Sequence, residues 1–408
     1  VIQRRALTNV GGDIDLGGDP AEAEELARAL DVPTPARTES SEAVTGREHV
    51  HGFHAYPARM HPLTASRLVS SFVPEGGVVL DPFCGSGTVL VEAMILGRSA
   101  IGTDLNPLAV ALSTLKTRPR GERELEELTQ AAKTVSAFAE ARRKERVGAT
   151  QRYPDVDVAA FDPHVLLELD GLRHGIYTLA PEGRRRDLLL VLSAILVKVS
   201  RKESDTGVKE APKRIAAGYT ARLFTKKTEE LAERLRALEE QAPSPPPRVT
   251  VHEDDALRLS HVRDRSVDAV VTSPPYVATY DYLEHHAMRL RWLDMDASGF
   301  AAAELGSRRE YGRKDARDAW DQWLSQLHAL LSTLARVTRP GGAVVLLMAD
   351  SAVGDTPLPA EDVVAEAAEE TGLVCVARAS QPRPHFHQAT RDAFRTRVRA
   401  EHALLLRR

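Results

Sequence analysis

Short apolar runs that stop at an acid, a glycine or a proline recur along this chain, each followed or preceded by residues at helical spacing. Val79-Leu80 ends at Asp81, Ser99 to Thr103 ends at Asp104, and Arg248 to Val251 runs into Glu253-Asp254-Asp255-Ala256. Val267 to Val271 leads into Thr272-Ser273-Pro274-Pro275-Tyr276, and Ala343 to Met348 follows Gly341-Gly342. Leu373 to Ala377 and His402 to Leu406 complete the set as an antiparallel pair. Such runs, rich in β-branched residues, are what strands buried on both faces require. The stretches Leu63 to Phe72, Val89 to Leu96, Trp320 to Val337 and Asp362 to Thr371 carry the helical period, and Pro107 opens another helix. Seven strands with helices between them predict an α/β chain with a seven-stranded, doubly wound, Rossmann-like sheet.

The period changes between about Gly121 and Ala242. Leu125, Leu128, Ala131 and Ala132 mark one helix, Leu188 to Leu192 a buried one, and Leu231, Leu235 and Leu238 a third. Pro243-Ser244-Pro245-Pro246-Pro247 closes the segment as a stiff linker. Residues 119–247 therefore read as a helical insertion that splits the α/β domain into 47–118 and 248–408. Residues 1–46, rich in Gly, Asp, Glu, Thr and Pro with one helix-like piece from Pro20 to Leu30, read as a loosely attached extension.

Composition excludes some classes. No apolar run approaches the roughly 18–20 residues that span a bilayer, and the first residues carry no secretory pattern, so a cytoplasmic protein with no membrane contact is expected. The only cysteines, Cys84 and Cys375, exclude a disulfide framework or a thiolate metal site. His51, His54 and His61 have no carboxylate beside them in sequence, and no metal is expected there. Net charge is −4, so any nucleic-acid contact must be local. Between Arg184 and Lys227 about a dozen Lys and Arg stand against about four acids; Arg201, Lys202, Lys209, Lys213 and Arg214 are interleaved with Gly207, Gly218 and Tyr219. A solvated helix face is the plain explanation, and a phosphate-tracking surface the one the local excess favours.

The chemistry gathers at strand ends. After Asp81 the turn Pro82-Phe83-Cys84-Gly85-Ser86-Gly87-Thr88 brings main-chain N–H groups and a helix N-terminus to one edge, and Gly85 and Gly87 let a ligand lie against the backbone. Cys84 reads as a small filler of this turn. Asp104, before Leu105-Asn106-Pro107, stands where an acid commonly takes ribose hydroxyls, although an Asp there also caps helices. Without Gly-Lys-Ser/Thr a triphosphate is disfavoured, and an adenosyl-type cofactor fits. Ser273-Pro274-Pro275-Tyr276 must end its strand, because proline supplies no ladder N–H; it presents a hydroxyl, free carbonyls and a ring at the same edge.

With these pieces the chain resembles the DNA amino-methyltransferases, which methylate cytosine N4 or adenine N6 with S-adenosylmethionine. The matching segments are Asp81 to Thr88, Asp104 with Asn106 and Pro107, Asp255-Ala256, Ser273 to Tyr276, and His54-Ala55-Tyr56-Pro57-Ala58 before the first strand. The resemblance implies a class I methyltransferase sheet. It implies that Asp104 holds the ribose hydroxyls and Asp255 the adenine amine, that Gly85 and Gly87 admit the methionine part, and that Phe83 lines the pocket. Ser273 and the Pro274 carbonyl would accept the N–H bonds of the target amine, while Tyr276 stacks on a base flipped out of the DNA. The insertion would be the target-recognition region, and a cognate restriction nuclease is a candidate partner. Ser in place of Asp at the first catalytic position leans toward cytosine N4 over adenine N6. An RNA base-amine methyltransferase, and a binding module that keeps only the cofactor pocket, are the competing readings.

Overall fold

The computed structural model describes residues 12–33, 46–203, 213–385 and 388–408. Its first half runs β1 (Asp15–Gly18), α1 (Pro20–Leu30), α2 (Pro62–Phe72), β2 (Val78–Asp81), α3 (Thr88–Ile95), β3 (Ser99–Asp104) and α4 (Pro107–Thr117). Five helices follow: α5 (Glu122–Lys144), α6 (Asp155–Ala160), α7 (Pro163–Leu179), α8 (Glu182–Val199) and α9 (Tyr219–Gln241). The α/β pattern then resumes with β4 (Val249–Glu253), β5 (Val267–Thr272), α10 (Tyr282–Trp292), α11 (Ser298–Ala303), α12 (Arg308–Tyr311), α13 (Ala316–Val337) and β6 (Thr338–Ala349). A small hairpin, β7 (Ser351–Val353) and β8 (Thr356–Leu358), leads to α14 (Ala360–Ala368), β9 (Val374–Pro382) and β10 (Ala400–Arg407).

One eight-stranded sheet organises the molecule, in the order β1-β9-β10-β6-β5-β2-β3-β4. From β4 to β6 neighbouring strands are parallel; β10 runs antiparallel to both β6 and β9. All seven expected strands are present, including the closing antiparallel pair. Side chains alternate across the sheet, as a period of two demands. Val79, Ala269, Val345 and Ala403 pack beneath α1, α2 and α3, whereas Leu80, Val270, Val344 and Leu404 pack on α13 and α14. The chain leaves β2 toward β3 and β4 on one side and returns through β5 and β6 on the other. The crevice between the C-terminal ends of β2 and β5 is thus the switch point where open α/β sheets bind ligands.

One expectation needs correction. The N-terminal extension is no loose appendage over its described residues. Asp15 to Gly18 pair antiparallel with Ser380 to Ala377, adding an eighth strand at the edge. Asp19 caps α1 by accepting from Glu22 N at 3.1 Å, Pro20 takes the first turn, and Ala23, Leu26, Ala29 and Leu30 are buried in the layer over the sheet. The insertion, for its part, shares a core with the sheet domain. Leu108, Leu112 and Leu115 of α4 belong to the same apolar cluster as Leu125, Leu188 and Leu231, and Trp292 of α10 stacks on Tyr153 at 5.0 Å. Helices α6 and α7 were not anticipated.

Leu26 is fully buried, so Leu26→Ala should cost about 2–5 kcal/mol of unfolding free energy, the range for a core Leu that leaves a cavity. Denaturant melts measure this; a loss below about 0.5 kcal/mol, as for a surface change, would return α1 to the status of an appendage.

Candidate active site

At the switch point a cavity opens, with about 900 Å³ of empty space that continues into open solvent. Its walls come from six parts of the chain: the 56–60 segment before α2, the turn after β2, the end of β3, the Asp254-Asp255-Ala256 turn after β4, the loop after β5, and the stretch from Tyr282 to Leu305. Segments distant in sequence, Phe83 to Ser86 and Ser273 with Pro275, line the same space.

The donor side is a backbone cradle. Gly85 has φ +49°, and a Cβ there would stand 3.2 Å from the Tyr56 ring; Gly87 has φ +82°, caps α3, and a Cβ would meet Ser113 Oγ at 2.9 Å. Both positions need glycine for conformation and closeness together. Asp104 braces the turn: its Oδ2 accepts from Gly85 N at 2.9 Å and its Oδ1 from Asn106 N at 2.8 Å. Each oxygen keeps a lone pair for a ligand hydroxyl. Burial pushes the Asp104 carboxyl up to about 6 despite those two N–H donors. Asn106 caps α4 through Leu108 N at 3.1 Å and donates to the Tyr56 hydroxyl at 3.4 Å. Cys84 is buried, its thiol reaching Ser113 Oγ at 3.7 Å, and burial raises it well above the ordinary thiol range, which suits a filler and not a nucleophile.

Tyr56, Pro57, Ala58, Asp81, Phe83, Cys84, Gly85, Thr88, Asp104, Leu105, Asn106, Asp255, Ala256, Ser273 and Pro275 all line the cavity. Four expected residues stand outside its lining. His54 is buried behind it, with Nδ1 at 2.8 Å from Ala55 O and Nε2 at 2.9 Å from Ser193 Oγ of α8; it joins the cofactor segment to the insertion. Gly87 serves through its backbone, as above. Pro274 is buried beside the cavity. Tyr276 sends its hydroxyl to Glu401 Oε1 at 2.7 Å.

Sequence reasoning missed the far wall, formed by Tyr282, Phe300, Glu304 and Leu305. Glu304 Oε1 accepts from the Tyr282 and Leu283 amides at 2.6 and 3.3 Å, so it caps α10 from outside. Backbone bonds from Ala278 N to Gly306 O (2.9 Å) and from Arg308 N to Tyr280 O (3.0 Å) fasten this wall to the loop after β5. The only sequence signals were Tyr280-Asp281-Tyr282 and Gly306-Ser307-Arg308-Arg309, which carry no assigned chemistry.

The three histidines do separate jobs. His51 Nε2 meets Glu92 Oε1 at 2.8 Å, a carboxylate the sequence order had hidden, and His61 Nδ1 accepts from Leu63 N at the start of α2. His49, His51 and Glu92 bring ligand-type atoms within 4.8 Å of one another. Burial, and after it the nearby Lys116, holds His51 well below its usual value. In the basic segment, Arg201 already pairs with Asp162 (2.8 Å), and Lys213 Nζ donates to Val197 O and Lys202 O. Arg214 is exposed and Lys202 half-buried; Gly207 and Lys209 lie outside the described residues. No helix among the described residues is long and apolar enough to cross a membrane.

The cavity fits S-adenosylmethionine by its donor set: an open glycine backbone, the carboxylates of Asp104 and Asp255 for hydroxyls and an amine, and Phe83 and Ala256 for an adenine ring. If Asp104 must be ionised to accept ribose hydroxyls, cofactor affinity falls as pH drops through about 6. Asp81 faces the same cavity and is pushed by burial to about 7, but it is common to wild type and variant. Without ligand the linkage runs the other way: a carboxyl whose pKa rises on folding favours the fold at low pH and loses that contribution as pH rises through 6. Calorimetry between about pH 5 and 8 should show Asp104→Asn binding S-adenosylmethionine about 1.5–3 kcal/mol more weakly at neutral pH, without the step near 6. Equal affinity across that range would remove Asp104 from the cofactor.

Comparison with known proteins agrees with this geometry. Residues 32–114 match the family model described as DNA methylase. The chain is 27% identical over 274 residues to the type II methyltransferase M.MvaI of Kocuria varians, covering 61% of this chain and 58% of that one. It is 27% identical over 281 residues to M.BsoBI of Geobacillus stearothermophilus, covering 61% and 53%. The chain thus spans a little over half the length of these curated relatives. A tRNA (guanine(10)-N2)-dimethyltransferase of Methanocaldococcus jannaschii is 41% identical over 61 residues, 15% of this chain and 17% of that one. Solved methyltransferase structures, such as the rRNA methyltransferase aviRa from Streptomyces viridochromogenes (12% identity, 90% and 94% coverage, TM-score 0.31), superpose too loosely to bear on the site. Over residues 32–114 the chain thus matches a DNA methylase model, and over 61% of its length it is similar to two type II methyltransferases.

Proposed function

We propose that this protein transfers a methyl group from S-adenosylmethionine to an exocyclic amine of a DNA base, cytosine N4 ahead of adenine N6. The observation that carries the proposal is that Ser273 and Pro275 share one cavity with Phe83 to Ser86 and Asp104. An exocyclic amine is a poor nucleophile because its lone pair is delocalised into the ring. The Ser273 hydroxyl and the Pro274 carbonyl, accepting its two N–H bonds, draw the nitrogen toward tetrahedral geometry and aim the lone pair at the cradle. Bound there, the cofactor supplies an electrophilic methyl on a sulfonium centre. Placement and hydrogen bonding then account for the catalysis, and no covalent enzyme intermediate is required. Tyr282 and Phe300 offer the aromatic walls that a base extruded from the duplex needs.

The base preference rests on Ser273, which is less strongly hydrogen-bonding than an Asp at this position would be. The short match to a tRNA dimethyltransferase favours RNA as the second reading. Incubation with labelled cofactor and duplex DNA or RNA, digestion to nucleosides and mass spectrometry separates the readings. N4-methylcytosine from DNA is expected, with the yield lost in Ser273→Ala. N6-methyladenine would correct the base, label in RNA alone would correct the substrate, and no transfer by wild type would end the enzyme reading.

The insertion, residues 119–247, is proposed as the region that tracks the DNA. Because Lys213 also holds main-chain carbonyls, Lys202→Glu with Arg214→Glu is the cleaner test. DNA affinity should drop and its logarithmic salt slope should flatten by about 0.9 for each phosphate no longer neutralised. An unchanged slope would mark the segment as ordinary surface.

A further inference from the structure

The cavity does not explain why β10 keeps a carboxylate in the interior. Glu401 is 1% exposed, one strand away from β6 and far from Ser273 in sequence. Its Oε1 accepts the Tyr276 hydroxyl at 2.7 Å. Its Oε2 accepts from Arg383, through Nε at 3.2 Å and also through Nη2, and Arg383 Nη1 donates to Gln381 Oε1 at 2.7 Å. Burial and Glu401 push the Tyr276 hydroxyl well above its ordinary range, and the Ser273 side chain, three residues earlier on the same loop, opposes that rise as a hydrogen-bond donor would. A single chain therefore runs from the cavity wall into the sheet: Ser273, Tyr276, Glu401, Arg383.

We propose that Glu401, paired with Arg383, is a positioning residue that sets the hydrogen-bond polarity of the acceptor loop and so turns Ser273 into an acceptor for the target amine. The inference rests on the methyltransferase reading above. It follows from counting protons. A carboxylate has none and can only accept, so Tyr276 must spend its one hydroxyl proton on Glu401. The Tyr276 oxygen is then left with lone pairs alone, and Ser273 can bond to it only by donating. With its proton committed, Ser273 shows the cavity nothing but lone pairs. The amine of a cytosine or adenine arrives with N–H donors and no available lone pair, so an acceptor is what it requires. A Ser273 free to rotate would present its proton as well. The guanidinium of Arg383 offsets the cost of keeping the carboxylate out of water. Tyr276 thus contributes through its hydroxyl, in addition to any role of its ring.

Two variants test the chain at different links. Tyr276→Phe keeps the ring and the Glu401–Arg383 pair and breaks the middle link. Glu401→Gln replaces one acceptor oxygen by an amide that can donate to Tyr276, which reverses the polarity. Single-turnover methyl transfer to duplex DNA is measured beside cofactor and DNA affinity. Each variant should transfer about tenfold to a hundredfold more slowly, with both affinities within about twofold of wild type, as for loss of an interaction made chiefly in the transition state. Tyr276→Phe should add no further loss in a Ser273→Ala background, because both changes break one chain. A merely structural role would lower the affinities as well and add to the Ser273→Ala loss, and that pattern overturns the proposal. Should Glu401→Gln fail to fold, Tyr276→Phe carries the test alone. Wild-type protein that methylates no nucleic acid overturns the methyltransferase reading and this one with it; an active wild type whose Tyr276→Phe variant keeps the full rate overturns this one alone.

Discussion

One buried hydrogen bond ties the two halves of the site together. The Thr272 hydroxyl, at the last residue of β5, donates to Asp81 Oδ1, at the last residue of β2, over 2.7 Å. The same oxygen accepts from Phe83 N at 3.2 Å, so Asp81 starts the cradle while it holds the strand that carries the acceptor loop. Both groups are buried, and burial lifts the Asp81 carboxyl to about 7. An unpaired carboxyl at this depth would cost several kcal/mol, which makes the Thr272 donor part of the fold as well as of the site. Parallel pairing of Val79 with Ala269 and Leu80 with Val270 fixes the register that lets the two ends meet. Donor cradle and acceptor loop are neighbours because their strands are, although 191 positions separate Asp81 from Thr272.

The central strands were legible because burial on both faces writes itself as continuous apolar sequence, and the turns after them because glycine and proline act through the backbone. The edge strand β1 was not. Asp15-Leu16-Gly17-Gly18 has neither alternation nor β-branched residues, and its pairing with β9 is made to residues more than 350 positions away. The helix after it does show the apolar stripe Ala23, Leu26, Ala29 and Leu30, but the stripe alone does not say which surface it covers. Helices α6 and α7 escaped notice because charged and glycine residues interrupt their apolar positions, as with Asp170, Gly171 and Arg173, all buried. Thr150 and Tyr153 satisfy Asp170, a pairing no local pattern announces.

The site divides the same way. Residues at strand ends and turns, such as Gly85, Asp104, Asp255 and Ser273, were expected at the site from their turns and from the family resemblance, and all four line the cavity. Residues that act through long-range partners could not be assigned this way. His54 stands in the segment expected to hold cofactor, yet its imidazole bonds to Ser193 of the insertion, and Arg289 of α10 donates to the same serine's carbonyl. The insertion is therefore bolted to the back of the pocket. Tyr282, Phe300 and Glu304 had no signature because their role depends on which loop folds over which mouth. Glu401 was hidden for the simplest reason: a lone acid in a C-terminal strand looks like any solvent-facing residue until the strand is placed beside Tyr276.

The account stands on the cradle and the acceptor loop facing one another across a single cavity. A crystal structure of the protein with S-adenosylhomocysteine and a duplex carrying its target sequence tests this most directly. The account predicts the cofactor sulfur directed at Ser273, with the amine of one extruded base held between them and hydrogen-bonded to the Ser273 hydroxyl. A cofactor whose sulfur end points away from Ser273, or a target base seated elsewhere on the protein, would contradict it.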